Sequence, residues 1–313
     1  MSDALLNSLI IEYLHSTIRI AVLIVLPCLG EVFLERSGVI NIGMEGAILT
    51  GAFFGVLGSA ITGSALVGVV FAVIAGAIVT LMFSVVVVTM RANQIVSGMA
   101  VNMVALGLTS FLNRLIFGVR GIPLMVAGID PFPIPYLSNI PVIGRILFQQ
   151  DVFVYLAYVL VPMAVFVMYR TTWGLKIRAV GEHPEAADTV GINVYAWRYR
   201  MAVLNGIMCG LAGAALSLSQ LNTFTENMTA GRGFIAMAAV IFGRWNPASA
   251  TLAALAFAAT DALQLRVQGF GIGISSQFLM MMPYLFTLIA VAFFRGRWSM
   301  PAALASSYAR ESD

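Results

Sequence analysis

Residues 46–90 read GAILTGAFFGVLGSAITGSALVGVVFAVIAGAIVTLMFSVVVVTM, 45 residues without a charged side chain between Glu45 and Arg91. At about 1.5 Å per residue, one helix of this length would be nearly twice as long as the ~30 Å hydrocarbon core of a bilayer, so two crossings must share it. The small and polar cluster Gly58-Ser59-Ala60-Ile61-Thr62-Gly63-Ser64 supplies the turn between them. Reading outward by the same criterion predicts full spans near 17–34, 44–61, 65–89, 94–117, 151–169, 201–221, 247–265 and 277–294. The stretch 233–243 has only 11 residues between Arg232 and Arg244. That is about 16 Å of helix, roughly half a bilayer, unless residues 229–232 extend it to a complete crossing.

Composition agrees with this reading. Of 313 residues, 60% are apolar and 10% charged, against roughly 25% charged in a soluble domain. A water-soluble globule is excluded. The net charge of +3 comes from 17 Lys and Arg against 14 Asp and Glu, and the basic residues are dispersed, so nucleic acid is not an expected partner. Cys28 and Cys209 each lie inside an apolar stretch, which argues for buried free thiols and against a disulfide framework or a metal site. The N-terminus carries Asp3 and Glu12 and lacks a basic leader region, so the first apolar segment is expected to be retained.

Arginine distribution sets the expected orientation. The loop 170–200 carries Arg170, Lys176, Arg178, Arg198 and Arg200, whereas the proline-rich loop 118–150 carries Arg120 and Arg145. By the positive-inside rule the first is cytoplasmic and the second external. Counting outward puts eleven basic residues inside, including Arg36, Arg91, Arg244, Arg295, Arg297 and Arg310. Five fall outside: Arg114, Arg120, Arg145, Arg232 and Arg266. The expected fold is thus an all-α polytopic membrane bundle, a single transmembrane domain over 1–313. It should have about nine crossings (eight to ten) including one short or half-helix, with the N-terminus outside and the C-terminus cytoplasmic.

Several chemistries are missing. No G-x-x-x-x-G-K-[ST] occurs, so the chain cannot cradle nucleotide phosphates by itself. Gly269-Phe270-Gly271-Ile272-Gly273 follows no strand and reads as an external turn. His15 and His183 fall on opposite sides of the membrane, so neither a catalytic triad nor a metal cluster can be assembled from them. Neither an enzyme nor a resident cofactor is expected.

The polar residues inside the spans are more informative. Gln94, Asn102, Thr109 and Asn113, with Gly98 and Ala105 between them, share one helical stripe that must avoid lipid. Asn205, Cys209 and Gln220 make a looser stripe, and Asp261 and Gln264 approach the outer end of the 247–265 span. Uncharged amides and hydroxyls suit a path for a neutral polar solute, and they equally suit hydrogen bonds between helices. The candidate path residues are Gln94, Asn102, Thr109, Asn113, Asn205 and Gln220. Glu31, Glu35, Arg36, Asn41 and Glu45 cluster where the first two spans meet; capping by Asn41, a dipole contact from Glu45 to its own helix and ion pairing are the expected roles. In the loop 170–200, Pro184 fits a first helical position, Glu185 the first turn and Gly191 the stop, which predicts a helix of about two turns. It reads either as an interaction element or as a plain connector.

Three ordered motifs, ERSGVINIGMEGAILTGAFFG at 35–55, WGLKIRAVGEHPEAADTVGI at 173–192 and GRGFIAMAAVIFGRWNP at 231–247, carry a resemblance that covers nearly the whole chain. The sequence resembles permease subunits of bacterial ABC importers of the ribose and branched-chain amino acid permease superfamily, particularly the branch of nucleoside and simple-sugar permeases. That resemblance implies that Gly181, Glu182, Pro184, Glu185, Ala186 and Ala187, closed by Gly191, form a coupling helix that docks on the ATP-binding subunit. His183 stands where such loops often carry Asn. It further implies a homologous second permease chain as a heterodimer partner, an ABC ATPase subunit, and a periplasmic or lipoprotein receptor for the solute, all at the bacterial cell membrane. The competing functions are an ion-coupled secondary transporter using Asp261 or Glu45, and a membrane scaffold that transports nothing.

Overall fold

The computed structural model describes residues 3–118, 124–269 and 300–309, with the isolated positions 278, 281, 282 and 285. Among the described residues every regular element is helical. In chain order these are α1 (Asp3–Glu35), α2 (Met44–Thr62), α3 (Ala65–Ser84), α4 (Gln94–Phe117), α5 (Ile143–Leu147), α6 (Val152–Arg170), α7 (Thr172–Glu182), α8 (Pro184–Thr189), α9 (Val194–Ala214), α10 (Arg232–Phe242) and α11 (Pro247–Gly269). Single π-helical turns at Val85–Thr89 and Ala215–Gln220 extend α3 and α9, and Leu137–Asn139 form a 3-10 turn.

Side-chain caps set several starts. The Asn93 Oδ1 accepts from the amides of Ile95 and Val96 at the head of α4. Asp151 caps α6 through the amide of Val154, and Asn193 caps α9 through that of Ala196. The end of α2 is set by Gly63, left-handed at φ 69°, whose amide returns to the Ser59 carbonyl.

Among the described residues seven helices are long and apolar enough to cross a membrane: Leu9–Glu35, Met44–Thr62, Ala65–Thr89, Gln94–Phe117, Val152–Arg170, Val194–Gln220 and Pro247–Gly269. They correspond to the first seven predicted spans. The first is longer than predicted because Glu12 is accommodated on the helix, where it meets Arg145 and Arg266; Arg19, inside the predicted span, donates to the Ser219 carbonyl. The α9 span starts earlier than predicted because the charge of Arg198 is buried against backbone carbonyls instead of being left at a loop boundary. The short stretch forms a helix of 11 residues, α10. The predicted span 277–294 lies outside the described residues apart from the four isolated positions, as do residues 270–273 of the expected external turn and Arg120, Arg295, Arg297 and Arg310.

Packing centres on α1, α2 and α9, which are buried along most of their length. Helix α9 runs antiparallel to α1, with Arg198 beside Ser37, Asn205 beside Glu31, and Ser219 beside Arg19. Helix α11 also runs antiparallel to α1: Trp245, just before it, meets Glu35, and the Tyr13 hydroxyl donates to the Ala259 carbonyl (2.9 Å). One end of the bundle therefore holds residues 36–38, α7, α8, the start of α9 and the segment 300–309. The opposite end holds the loop 124–150, whose backbone pairs with the far end of α9 through Val126 to Asn222 (2.9 Å) and Ile129 to Leu218 (2.7 Å).

Helix α3 reaches α9 through glycine. A Cβ at Gly76 would lie 2.5 Å from the Gly206 carbonyl oxygen, and one at Gly210 would lie 2.4 Å from that of Ala72. Small residues allow this approach of backbones, which replaces the hydrophobic drive absent between helices in lipid. Gly210→Val should therefore lower the thermal midpoint of the purified protein, since overpacking costs about 1–3 kcal/mol or more. Gly107→Ala, where an added Cβ meets nothing within 4 Å, should leave it unchanged or slightly raised. Equal midpoints for the two variants in a detergent melting assay would remove the close-approach account.

Candidate functional site

Among the described residues, two non-helical segments that meet inside the bundle lie at 36–43 before α2 and at 221–231 before α10. Both breaks are held by polar side chains buried among apolar helices. Glu31 of α1, fully buried, accepts from the Asn41 amide through Oε1 (2.8 Å) and from the Asn205 side chain through Oε2 (2.9 Å). Asn205 in turn accepts from the Asn41 side chain (2.9 Å). These three residues join α1, the first break and α9.

Helix α4 grips the same segment. Gln94 Oε1 accepts from the Ile40 amide (2.8 Å). Asn102 accepts from the Gly46 amide (2.8 Å) and donates to the Ile42 carbonyl (2.9 Å). Two members of the predicted α4 stripe thus hold the start of α2. Thr109 lies lower on that stripe, buried, and donates to the Ala105 carbonyl of its own helix (2.7 Å), while Asn113 is half-buried.

The second break depends on Glu45. Its Oε1 accepts from the Thr229 hydroxyl (2.6 Å) and the Gly231 amide (2.7 Å), and its Oε2 accepts from the Gly233 amide (2.7 Å). A carboxylate in this position satisfies amides at the N-terminus of α10 and complements the positive end of its dipole. This corrects the expectation that Glu45 serves its own helix. Asn41 does not cap α2 either, because its side chain is turned toward Asn205, and α2 begins at Gly43 without a side-chain cap.

The corner between α10 and α11 is held from α1. Arg244 and Trp245 both adopt left-handed φ, 54° and 56°, a conformation unfavourable for residues with side chains. Arg36 donates to the carbonyls of both, and the Trp245 indole donates to Glu35. Sequence reading expected ion pairs within the cluster of Glu31, Glu35, Arg36, Asn41 and Glu45. Among the described residues its members form none with one another: hydrogen-bond donors hold Glu31 and Glu45, the Trp245 indole meets one oxygen of Glu35, and the carbonyls of the corner occupy Arg36. The Arg36 guanidinium reaches Glu182 at 3.9 Å instead.

At the opposite end, Gln220 donates to the Arg19 carbonyl (2.7 Å) and Ser219 donates to Asp151 (2.7 Å). Of the candidate path residues, the structure brings Gln94, Asn102 and Asn205 together around the first break. Gln220, Thr109 and Asn113 lie apart from them. Sequence reading places Glu31 in the cluster between the first two spans, whereas the roles of Trp245 and Thr229 have no signal in residue type or spacing. Among the described residues no group of three or more His, Cys, Asp or Glu could hold a metal ion.

The loop 170–200 holds two helices, α7 and α8. Thr171 caps α7 through the Gly174 amide (3.3 Å), and α8 follows with Pro184 at its first turn. Glu185 and Ala186 are exposed, Ala187 is buried, and Gly191 turns the chain at φ 83° with its amide bonded to the Asp188 carbonyl (2.9 Å). A groove of about 460 Å³ runs between residues 182–186 and 302–309.

Membrane-length helices, two helix breaks bonded to one another's neighbours inside the bundle, and a short exposed helix at one end define a multi-pass membrane permease. The chain belongs to the family described as the branched-chain amino acid transport system permease component, which matches residues 13–294. It is 38% identical over 297 residues, 92% of this chain and 93% of the relative, to the guanosine ABC transporter permease protein NupQ of Bacillus subtilis. It is likewise 38% identical, over 91% of this chain and 92% of the relative, to the nucleoside ABC transporter permease protein NupC of Lactococcus lactis. A Haloferax volcanii protein, TsgC13, provisionally named a glucose ABC transporter permease, is 33% identical over 96% of this chain and 98% of its own length.

The bonds at the first break separate two stripe residues experimentally. Asn102→Leu strips the Gly46 amide of its acceptor and the Ile42 carbonyl of a donor, a loss of about 1–3 kcal/mol for a buried unsatisfied group. It should reduce recovery of folded protein in mild detergent and lower the thermal midpoint. Asn113→Leu should leave both unaltered. Equal recovery and midpoint for the two would show that the Asn102 bonds carry no stability.

Proposed function

We propose that the chain is the membrane-spanning subunit of an ATP-driven importer that carries a nucleoside, a neutral polar solute, into the cytoplasm across the bacterial inner membrane. The observation that carries this reading is the pair of relatives named for guanosine and nucleoside transport, each matching over nine-tenths of both chains. The presence of α8 supports the assignment of energy input to a partner. Pro184 starts it, Glu185 and Ala186 are exposed on it, and Gly191 ends it, as an element docking on an ABC ATPase subunit requires. ATP hydrolysis then belongs to that partner and not to this chain. A homologous second permease subunit and a periplasmic or lipoprotein receptor complete the proposed assembly.

In this reading 1–313 is one permease domain with nine crossings: seven long helices, the passage formed by 221–231 with α10, and 277–294. The N-terminus and the loop 118–150 are external; the C-terminus and the coupling loop 170–200 are cytoplasmic. Arginine asymmetry supports that orientation. The path borders on Gln94, Asn102, Thr109, Asn113, Asn205 and Gln220. Hydrogen-bonding amides at helix breaks are where substrate sites of transporters commonly lie, and a nucleoside offers hydroxyls and base edges that amides can recognise without charge.

A simple-sugar permease is the second reading, favoured by the 33% identity to the Haloferax volcanii relative. Ion coupling through Asp261 or Glu45 is less well supported. Glu45 lies within the bundle, but the donors described above occupy both of its oxygens.

The test is uptake of radiolabelled guanosine by the assembled transporter in vesicles. Uptake should require ATP, survive proton and sodium ionophores, and be competed by other nucleosides but not by glucose or ribose. Glu185→Arg, which opposes the dipole at the first turn of α8, should abolish uptake while the protein remains inserted. Uptake that collapses with the ionophore would overturn the ATP-driven reading, and competition by glucose alone would favour the sugar reading.

Orientation is tested separately. A cysteine placed at Ser138 should react with an impermeant maleimide added to intact cells. One placed at Thr189 should react only after the inner face is opened. The reverse pattern would invert the topology and remove α8 from the cytoplasm.

A further inference from the structure

The segment 300–309 is bound to several parts of the bundle end that carries α8. The amide of Ala302 donates to Glu182 Oε2 (3.2 Å), that of Ala303 to the Gly181 carbonyl (2.9 Å), and that of Ala305 to the Gly38 carbonyl (3.1 Å). The Tyr195 hydroxyl donates to the Tyr308 carbonyl (3.2 Å), and the two rings lie 5.5 Å apart. One strap of chain thereby touches the end of α7, the turn after α1 and the start of α9.

Arg198 lies at the centre of these contacts. It is the largest of the fully buried side chains, 1% exposed. Its Nε donates to the Ser37 carbonyl (3.3 Å) and its Nη1 to the Ser306 carbonyl (3.2 Å). A Cβ on Gly38, which is left-handed at φ 93°, would come within 2.9 Å of its Nη2, so glycine makes room for the guanidinium. Burying an arginine is costly, and backbone carbonyls from two segments far apart in sequence offset part of that cost, while Nη2 has no hydrogen-bond partner among the described residues. Asn205 follows Arg198 by seven residues, two turns along the same face of α9. It bonds Glu31 and Asn41 at the first helix break.

We propose that Arg198 is a positioning residue for energy coupling: it clamps the strap 300–309 to the turn at 36–38, so that displacement of α8 reaches the node of Glu31, Asn41 and Asn205 as movement of one rigid body. This rests on the reading of α8 as the ATPase-docking helix. The path is continuous. Glu182 joins α8 through His183, the strap bonds Glu182 and Gly181, Arg198 bonds the strap and Ser37, and α9 carries Asn205. A lysine could reach one carbonyl as a point charge, but it lacks the planar fork that bridges two.

The experiment uses the assembled transporter in proteoliposomes and reads guanosine taken up per ATP hydrolysed. In Arg198→Met the ATPase subunit should remain bound and hydrolysis should continue, while uptake per ATP falls by at least about fivefold, the lower range of coupling factors between sites. Arg198→Lys should recover part of that ratio. If uptake and hydrolysis fall together in proportion to assembled complex, or do not fall at all, Arg198 is structural only and the proposal is overturned.

Should Arg198→Met fail to assemble, the cysteine pair Ser37→Cys with Ala305→Cys, placed across the contact of the strap with the turn at 36–38, decides. Its cross-link should form on oxidation, and uptake should be equal in the oxidised and reduced forms, because the strap and that turn move together. A cross-link that arrests uptake, or none forming, overturns the clamp. Absence of ATP-driven uptake in the unmodified transporter would instead overturn the reading on which the proposal rests.

Discussion

Backbone amides and carbonyls freed by two helix breaks must be satisfied inside an apolar bundle, and the polar side chains of this protein are distributed to meet that requirement. Lipid offers no water to a helix N-terminus, so each unpaired amide there costs several kcal/mol. Glu45 serves the start of α10. Asn102 serves the start of α2, while Gln94 and Glu31 serve the residues just before it. Because the carboxylate at the second break comes from the helix that follows the first, α2 and α10 are tied to each other as firmly as each is to its own break.

This dependence explains why three carboxylates stand in the bundle without ionic partners among the described residues. A carboxyl group offers two oxygens, which can meet several donors at once. Glu45 accepts three donors and Glu31 two. Glu35 meets the Trp245 indole at the corner, whose left-handed backbone Arg36 holds by its carbonyls. A permease requires rigid pieces that move relative to one another. Bonds of this kind make the pieces rigid, and the glycine contact of α3 with α9 adds backbone packing beside them.

The end that carries α8 shares this economy of means. Its contacts to the strap and to α1 are again made by backbone groups, with Arg198 and Glu182 as the side chains that join them. Motion imposed on α8 consequently meets a continuous set of hydrogen bonds before it meets the packed helices. In the proposed importer that continuity turns the movement of a surface helix into a change at the breaks.

The sequence alone located the membrane-length helices among the described residues. The length of a charge-free run and the bilayer thickness are local quantities, and 44–61, 65–89 and 94–117 coincide with α2, α3 with its π turn, and α4 to within a residue. The brevity of α10 and the start and stop of α8 were legible for the same reason, since Arg232 and Arg244, or Pro184 and Gly191, are read in place. The stripe of α4 was also legible as a face that avoids lipid. What its amides bind was decided only by tertiary structure. Asn102 meets Gly46 from 56 residues away and Asn205 meets Glu31 from 174, and such pairings depend on the register of one helix against another. The role of Glu45 changed for that reason: nearest its own helix in sequence, its oxygens lie nearest the N-terminus of α10 in space.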